Sequence, residues 1–206
     1  ALQESATLTG PFAPFEKRTT VRNDQTYTGI YWYGRRTYFE AFEPDSQGPV
    51  GASGLALSVD GAGESAAVKA AWAKAFGGAD SGPVTRKTDT AEPAWFLMTY
   101  AKVTSGLRVW LMEYDRSFLS AWYPDLSPAR GTTRSEVLDR YVAKIGRQAE
   151  REKALFKDVT GLRLALEASD RDILAKQLLA VGWTSRDLKD ALVLLGPEGV
   201  ELRVVP

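Results

Sequence analysis

The chain has 206 residues, of which 44% are apolar and 25% are charged, a composition typical of a globular protein with a substantial core. Its 26 basic and 26 acidic side chains balance, which disfavours nonspecific attraction to nucleic acid or to an anionic membrane. Histidine and cysteine are both absent, which excludes Ser-His-Asp and Cys-His catalysis, imidazole and thiolate metal ligands, and disulfides. Catalysis would have to use carboxylate, Lys, Tyr, Ser/Thr or Arg, or a cofactor that the protein orients.

The chain contains no run of about eighteen apolar residues, so we expect a soluble protein without a membrane-spanning helix. Its first residues, Ala-Leu-Gln, are compatible with removal of an N-terminal segment. The compartment, cytoplasmic or exported, is left open.

The N-terminal part predicts a helix in ALQESATLTGPFAPF, followed by three strands in EKRTTVR, YTGIYWYG and RTYFEAF. Between the last two strands, Gly34-Arg35 suits a two-residue hairpin turn with glycine first. The predicted register pairs Tyr33 with Arg36, Tyr31 with Tyr38 and Gly29 with Glu40.

Alternation along the hairpin divides its side chains between two faces. The apolar face holds Ile30, Trp32, Thr37, Phe39 and Ala41. The mixed face holds Gly29, Tyr31, Tyr33, Arg36, Tyr38, Glu40 and Phe42. Because the mixed face combines flat rings, hydroxyls and charge with an open space at Gly29 beside the carboxylate, we predict that it lines a cleft.

The next segment predicts the order β-α-β-β-β from Gly54 to Asp115. GASGLALSVD is a short apolar strand, and GAGESAAVKAAWAKAFGG has helical periodicity that ends at Gly77. PVTRKTD, WFLMTYAKV and LRVWLMEYD then predict three strands.

The same order returns near the C-terminus, after a long helix that begins with a capping box at Thr133 and Glu136 and thins into RQAEREK. There GLRLALEAS predicts a strand, Ser169-Asp170 a helix start, and TSRDLKD, ALVLLGP and GVELRVVP three further strands. The sequence thus predicts two complete β-α-β-β-β units and one that lacks its first strand. We assign paired modules to residues 1–130, a connecting helix to 131–158 and a third module to 159–206.

This repetition resembles the vicinal oxygen chelate superfamily of glyoxalases, bleomycin-resistance proteins and extradiol dioxygenases. GLALSVD and GLRLALEAS resemble the opening strand of that family, and Glu40, Glu113 and Glu201 match its glutamate near the end of the last strand. The stretch from FEKRTTVR to TYTGIYWYGRRTYFE is also similar to a group of uncharacterised bacterial proteins. The resemblance implies an α+β fold in which two modules form a half-open barrel around a ligand cleft, with the third module appended.

Metal-dependent members of that superfamily begin their modules with a histidine ligand, where this chain has Gly54 and Gly161. The usual His/Glu metal site therefore cannot form, and Mg²⁺ or Ca²⁺ would need more ligands than two carboxylates. We expect no metal and no cofactor.

Two explanations stay open for Glu40 and Glu113. They could form a carboxylate pair in the cleft, where burial and mutual repulsion would raise one pKa and allow general acid or base catalysis. Alternatively, each could be a structural residue held by Arg36, Arg108 or backbone donors. The candidate ligand-binding residues are those on the mixed face of the hairpin, Tyr31, Tyr33, Arg36 and Tyr38.

The preferred functional hypothesis is a metal-independent protein that binds an unidentified small molecule through the tyrosine-lined face. The alternative is a glyoxalase-type isomerase or lyase in which Glu40 or Glu113 acts as the general base. A purely structural or interaction module would be favoured if side chains filled the cleft. Since three modules leave one without a partner, we also predict a homodimer.

Overall fold

The computed structural model describes residues 2–22, 25–44, 46–120 and 132–206. Within these ranges the chain forms three separate β-sheets with helices between them, which confirms the predicted α+β class. None of the described sheets closes into a barrel. The predicted domain boundary at residue 130 lies outside the described residues.

The first sheet is antiparallel and follows a 3₁₀ turn at Leu2–Glu4 and the short helix α1. Its strands have the order β1-β2-β3. The bounds are α1 Ala6–Thr9, β1 Phe15–Arg22, β2 Gln25–Tyr33 and β3 Tyr38–Phe42. The predicted helix and three strands are therefore present, although the helix is much shorter than the segment assigned to it.

The predicted hairpin register is wrong by two residues. Tyr33 lies opposite Tyr38, and Tyr31 lies opposite Glu40, so the connection between the strands has four residues instead of two. The carboxylate of Asp158 fixes this wider turn, because its Oδ1 accepts the backbone N–H groups of Arg36 at 2.7 Å and Thr37 at 2.9 Å. An even shift leaves the side chains that remain in the two strands on their predicted faces, whereas Arg36 and Thr37 now belong to the turn.

Gly34 occupies a position in this turn where no side chain fits. A Cβ there would collide with the backbone oxygen of Lys157 and approach that of Thr37 to 2.8 Å. The turn therefore packs directly against the backbone that follows the helices of the connecting segment.

The second sheet has the predicted order β-α-β-β-β. Its bounds are β4 Ser53–Ser58, α2 Glu64–Phe76, β5 Ala79–Thr85, β6 Ala94–Ala101 and β7 Leu107–Tyr114. The strand order is β4-β7-β6-β5, with β4 and β7 parallel and the other neighbours antiparallel. Helix α2 ends where predicted, at Gly77, which has a left-handed φ of +75°.

In the described part of the predicted connecting segment, residues 132–158, two helices replace one long helix, and a further short helix, α3, precedes them. Their bounds are α3 Arg116–Ser120, α4 Arg134–Lys144 and α5 Gln148–Arg151. The predicted capping box at Thr133 and Glu136 begins α4. The predicted continuation into RQAEREK is interrupted at Gly146, whose φ of +68° is incompatible with a right-handed helix.

The third sheet repeats the topology of the second. Its bounds are β8 Gly161–Ala165, α6 Ala168–Leu179, β9 Thr184–Leu188, β10 Ala191–Leu195 and β11 Glu201–Val205. The strand order is β8-β11-β10-β9, and again the first and last strands of the unit are parallel. The predicted element order is therefore observed in both complete units.

The second sheet lies at the centre of the molecule. One of its faces shares an aromatic core with the first sheet and α4. Its other face packs on α2, where Trp72 is fully buried and donates its indole N–H to the backbone oxygen of Gln177 in α6, at 2.9 Å. Leu174 and Leu178 of α6 then join this face to the third sheet.

Candidate functional site

A cavity of about 780 Å³ lies between the first and second sheets, bounded by α4 and by the connection from β3 to β4. Its walls are rich in aromatic side chains. They include side chains from β2, β3, β6, β7 and α4, such as Tyr31, Tyr38, Phe96, Trp110, Tyr114 and Tyr141. The mixed face of the predicted hairpin therefore borders a hollow.

The tyrosines of this face form an ordered stack. Tyr31 and Tyr33 are nearly parallel with ring centroids 6.1 Å apart, and Tyr33 lies 5.8 Å from Tyr141 of α4. Tyr31, Tyr33 and Tyr38 all line the cavity. Burial raises the pKa of Tyr31, so its hydroxyl stays protonated at neutral pH.

Arg18 of β1 is a site residue that the sequence analysis missed. Its guanidinium lies 4.0 Å from the ring centroid of Tyr31 and 5.0 Å from that of Tyr141. Its Nη1 donates to Glu16 at 2.9 Å and to the hydroxyl of Tyr33 at 3.2 Å. Alternation along FEKRTTVR was the available signal, because it places Glu16 and Arg18 on the face shared with Tyr31.

The open space expected at Gly29 is filled. Phe42, and not Glu40, lies opposite Gly29. The ring of Tyr31 folds over the glycine, so that a Cβ at position 29 would stand 3.0 Å from the Tyr31 hydroxyl oxygen. Gly29 therefore allows this ring orientation and does not provide ligand space.

Glu40 lines the cavity directly across from Tyr31. Among the described residues no side chain or backbone group forms a hydrogen bond or ion pair with its carboxylate. Burial raises the pKa of Glu40 from 4.5 to about 7, against the opposing influence of Arg18 and Arg22. The Tyr31 hydroxyl is also buried without a hydrogen-bond partner.

Glu113 does not join Glu40 in the cavity. Its carboxylate accepts the backbone N–H groups of Gly63 at 2.7 Å and Ser65 at 3.0 Å, at the start of α2. Partial burial opposes ionisation, but these hydrogen bonds and that of the Ser65 side chain outweigh it, so the pKa of Glu113 lies below its ordinary value. The carboxylate pair of the first explanation does not form, because β7 directs Glu113 to the face covered by α2, where backbone donors hold it as the second explanation allowed.

Arg36 also lies away from the cavity. It belongs to the turn between β2 and β3, and its guanidinium forms an ion pair with Glu198. The register error explains the misplacement, because the predicted two-residue turn would have made Arg36 part of β3. Arg22 and Arg108, which were not predicted, line the cavity instead.

Within the described ranges, no three acidic side chains cluster closely enough to hold a metal ion. The helices of the described residues are all too short or too polar to cross a membrane.

Fold and site together define an α+β protein with a large aromatic cavity between two sheets. The chain belongs to a family of unknown function, DUF5829, which it matches over residues 1–205. This match carries no link to the vicinal oxygen chelate superfamily. No curated protein and no solved structure matches the chain.

Proposed function

We propose that this protein binds a small organic molecule in the cavity between the first two sheets, without using a metal ion. One observation carries the proposal: Glu40 and Tyr31 line the same hollow, and neither the carboxylate of Glu40 nor the buried hydroxyl of Tyr31 has a partner among the described residues. Buried polar groups in proteins are nearly always hydrogen-bonded, so an unpaired pair of this kind suits a ligand or ordered water.

The size and walls of the cavity support the same function. Its volume of about 780 Å³ falls within the range of about 300–1,000 Å³ that ligand pockets commonly have. Tyr31, Tyr38 and Trp110 offer flat surfaces on which an aromatic or otherwise planar ligand can pack. Glu40 and Tyr31 would then orient the ligand through hydrogen bonds.

Gly54 supports a metal-independent mode of binding. It stands where the resembling superfamily has a histidine ligand, and it lines the cavity. A Cβ at this position would collide with the indole ring of Trp110, so a side chain would fit only if that ring moved. The aromatic wall occupies the space that a metal ligand at position 54 would need.

The two matching modules support a distant relation to the vicinal oxygen chelate superfamily as part of this proposal. Both have the order β-α-β-β-β and a parallel pair formed by their first and last strands. In this interpretation the third module is the unpartnered one, and a homodimer would supply its partner. Light scattering after size-exclusion chromatography tests the dimer, and a monomer mass would exclude it.

A glyoxalase-type isomerase or lyase is the second candidate function, favoured by the pKa of about 7 for Glu40. Such a carboxylate is partly ionised at neutral pH and can both accept and return a proton. Glu40→Gln separates the two functions once a ligand is known. A binding protein would lose affinity modestly, whereas an enzyme would lose turnover while it kept most of its affinity.

The binding function can be tested with a thermal-shift screen of small organic molecules against three proteins. Met98 lines the cavity, so Met98→Trp would fill part of it, while Leu188→Trp adds a similar bulk at an exposed site on β9. We expect compounds that raise the melting temperature of the wild type and of Leu188→Trp, but not of Met98→Trp. Compounds that stabilise all three proteins equally would contradict binding in this cavity.

A further inference from the structure

Three hydrogen-bond donors meet at one end of the cavity, around Gln47 in the connection from β3 to β4. Arg22 Nη2 donates to Gln47 Oε1 at 3.3 Å, and Arg108 Nη1 donates to the backbone oxygen of Gln47 at 3.2 Å. All three residues line the cavity. Because both oxygens of Gln47 accept from an arginine, this residue holds the two guanidinium groups near each other.

The amide nitrogen of Gln47 completes the cluster. It is buried and has no hydrogen-bond partner among the described residues. The side-chain orientation follows from the arginine contact, since only the oxygen of the amide can accept from Arg22. Arg22, Arg108 and Gln47 therefore line the same end of the cavity, and the buried amide donor of Gln47 is unused among the described residues.

Two of the charges along the cavity are neutralised by neighbours. Arg18 pairs with Glu16 at 2.9 Å, and the exposed Glu43 pairs with Lys17 at 3.7 Å. Neither of these pairs leaves a net charge for a ligand.

The remaining charged side chains of the cavity wall are Arg22, Arg108 and Glu40. Neither arginine forms an ion pair with a carboxylate of the described residues. Among the described residues of the wall, the two arginines at Gln47 outnumber the single carboxyl group of Glu40, so the unpaired charge at the Gln47 end is positive.

We propose that the ligand is an organic anion, with a carboxylate or phosphate group held by Arg22, Arg108 and the Gln47 amide and a planar apolar body against Tyr31 and Trp110. This inference rests on the proposed binding function and names its ligand class. Guanidinium groups match the planar, paired oxygens of carboxylates and phosphates, and the amide N–H adds a third donor. A hydroxyl or carbonyl group on the ligand body would meet Glu40 and the Tyr31 hydroxyl.

Two fluorescent dyes of the same shape test this inference. 8-Anilinonaphthalene-1-sulfonate carries one anionic group, and N-phenyl-1-naphthylamine is its uncharged counterpart. The variant Arg22→Gln/Arg108→Gln removes both positive charges, and Arg171→Gln/Arg203→Gln is the matched control. Each control arginine is partly exposed in the third module, away from the cavity, and pairs with an aspartate.

We expect wild type to bind the anionic dye more tightly than the neutral one, and the Arg22/Arg108 variant to lose about tenfold or more of its affinity for the anion. The neutral dye should bind the variant within about twofold of wild type, because its apolar contacts are unchanged. The Arg171/Arg203 control should bind both dyes as wild type does. Raising the salt concentration should weaken the anionic dye selectively.

Competition identifies the acidic group. Phenylacetate and phenyl phosphate should each displace N-phenyl-1-naphthylamine at lower concentrations than benzyl alcohol, and the stronger competitor names the preferred acid. Benzyl alcohol competing equally well would contradict the anion inference.

The outcomes separate this inference from the proposed function. Suppose that the neutral dye binds wild type and that Met98→Trp abolishes this binding, but that the anionic dye is not preferred and the Arg22/Arg108 variant has no effect. This result would overturn the anion inference and leave cavity binding intact. Equal loss in the Arg171/Arg203 control would also overturn it, because net protein charge would then explain the effect. If neither dye binds wild type, both proposals are contradicted.

Discussion

Replacing Glu40 by glutamine should stabilise the folded protein at alkaline pH and leave its stability nearly unchanged at acidic pH. The reason is burial: the pKa of Glu40 is about 7 in the folded chain, against an ordinary value of 4.5. The folded state therefore holds a proton that the unfolded state releases between these two pH values. Ionisation of Glu40 therefore lowers the free energy of unfolding. The stability contributed by the protonated side chain is fully present below pH 4.5 and is lost as the pH rises through 7.

The size of the effect follows from the difference between the two pKa values. Each pH unit of separation corresponds to about 1.4 kcal/mol, so the largest possible cost of the Glu40 carboxylate is about 3 kcal/mol. Its side chain is partly accessible from the cavity, and water there reduces the cost. We expect the free energy of unfolding of Glu40→Gln, measured relative to wild type, to be about 1–3 kcal/mol larger at pH 8 than at pH 4.5.

Urea unfolding of wild type and Glu40→Gln at several pH values between 4.5 and 8 measures this difference directly. The other carboxylates titrate in both proteins and cancel in the comparison. Glu43→Gln is the control, because Glu43 is exposed and forms only a surface ion pair with Lys17. A difference between wild type and Glu40→Gln that stays constant over this pH range would refute the burial argument and show that the carboxylate has a partner.

Three further substitutions test the fold around the cavity. Gly29→Ala should destabilise by about 1–3 kcal/mol, since its Cβ would stand 3.0 Å from the Tyr31 hydroxyl and force that ring to move; urea unfolding measures the loss. Thr133→Ala should cost about 1 kcal/mol by removing the capping box of α4, which the same unfolding assay measures. Glu113→Gln should cost about 0.3–1 kcal/mol at pH 7, because a carboxylate there stabilises the start of α2. Because the pKa of Glu113 is lowered, this loss should shrink as the pH falls below 4.5, whereas the effect of Glu40→Gln grows as the pH rises. Urea unfolding at pH 3 and pH 7 measures the change.

Each of these substitutions has a control and a contradicting result. Gly82→Ala adds the same methyl group where nothing lies within 4 Å, so equal losses at positions 29 and 82 would remove the steric explanation. Thr133→Ser keeps the capping hydroxyl and should stay close to wild type; a loss as large as that of Thr133→Ala would mean that the methyl group, not the cap, matters. For Glu113→Gln, a loss that does not change between pH 3 and pH 7 would rule out the charge as its source.

Local patterns in the sequence were enough to predict much of the fold. The order of strands and helices follows from hydrophobic periodicity, and the end of α2 at Gly77 and the start of α4 at Thr133 follow from residues with specific terminal roles. The face on which Tyr31 and Glu40 lie also follows from alternation, and it survived an error in the register because that error was an even number of residues. These features depend on neighbours within a few positions in the chain.

The composition of the cavity depended on contacts between distant segments. Asp158 sets the length of the hairpin turn and thereby removes Arg36 from β3. The packing of α2 on the second sheet decides that Glu113 caps a helix, and the meeting of the first two sheets leaves Glu40 without a partner among the described residues.

The sequence by itself determined most of the secondary-structure elements, their order and which strand residues share a face, because backbone geometry fixes these properties locally. Tertiary structure alone decided which faces meet. It brought Tyr141 of α4 to the Tyr33 ring and gathered Arg22 and Arg108 around Gln47. The periodicity of the sequence does not predict these contacts between distant residues. They form because whole sheets and helices pack together to exclude water from their apolar surfaces.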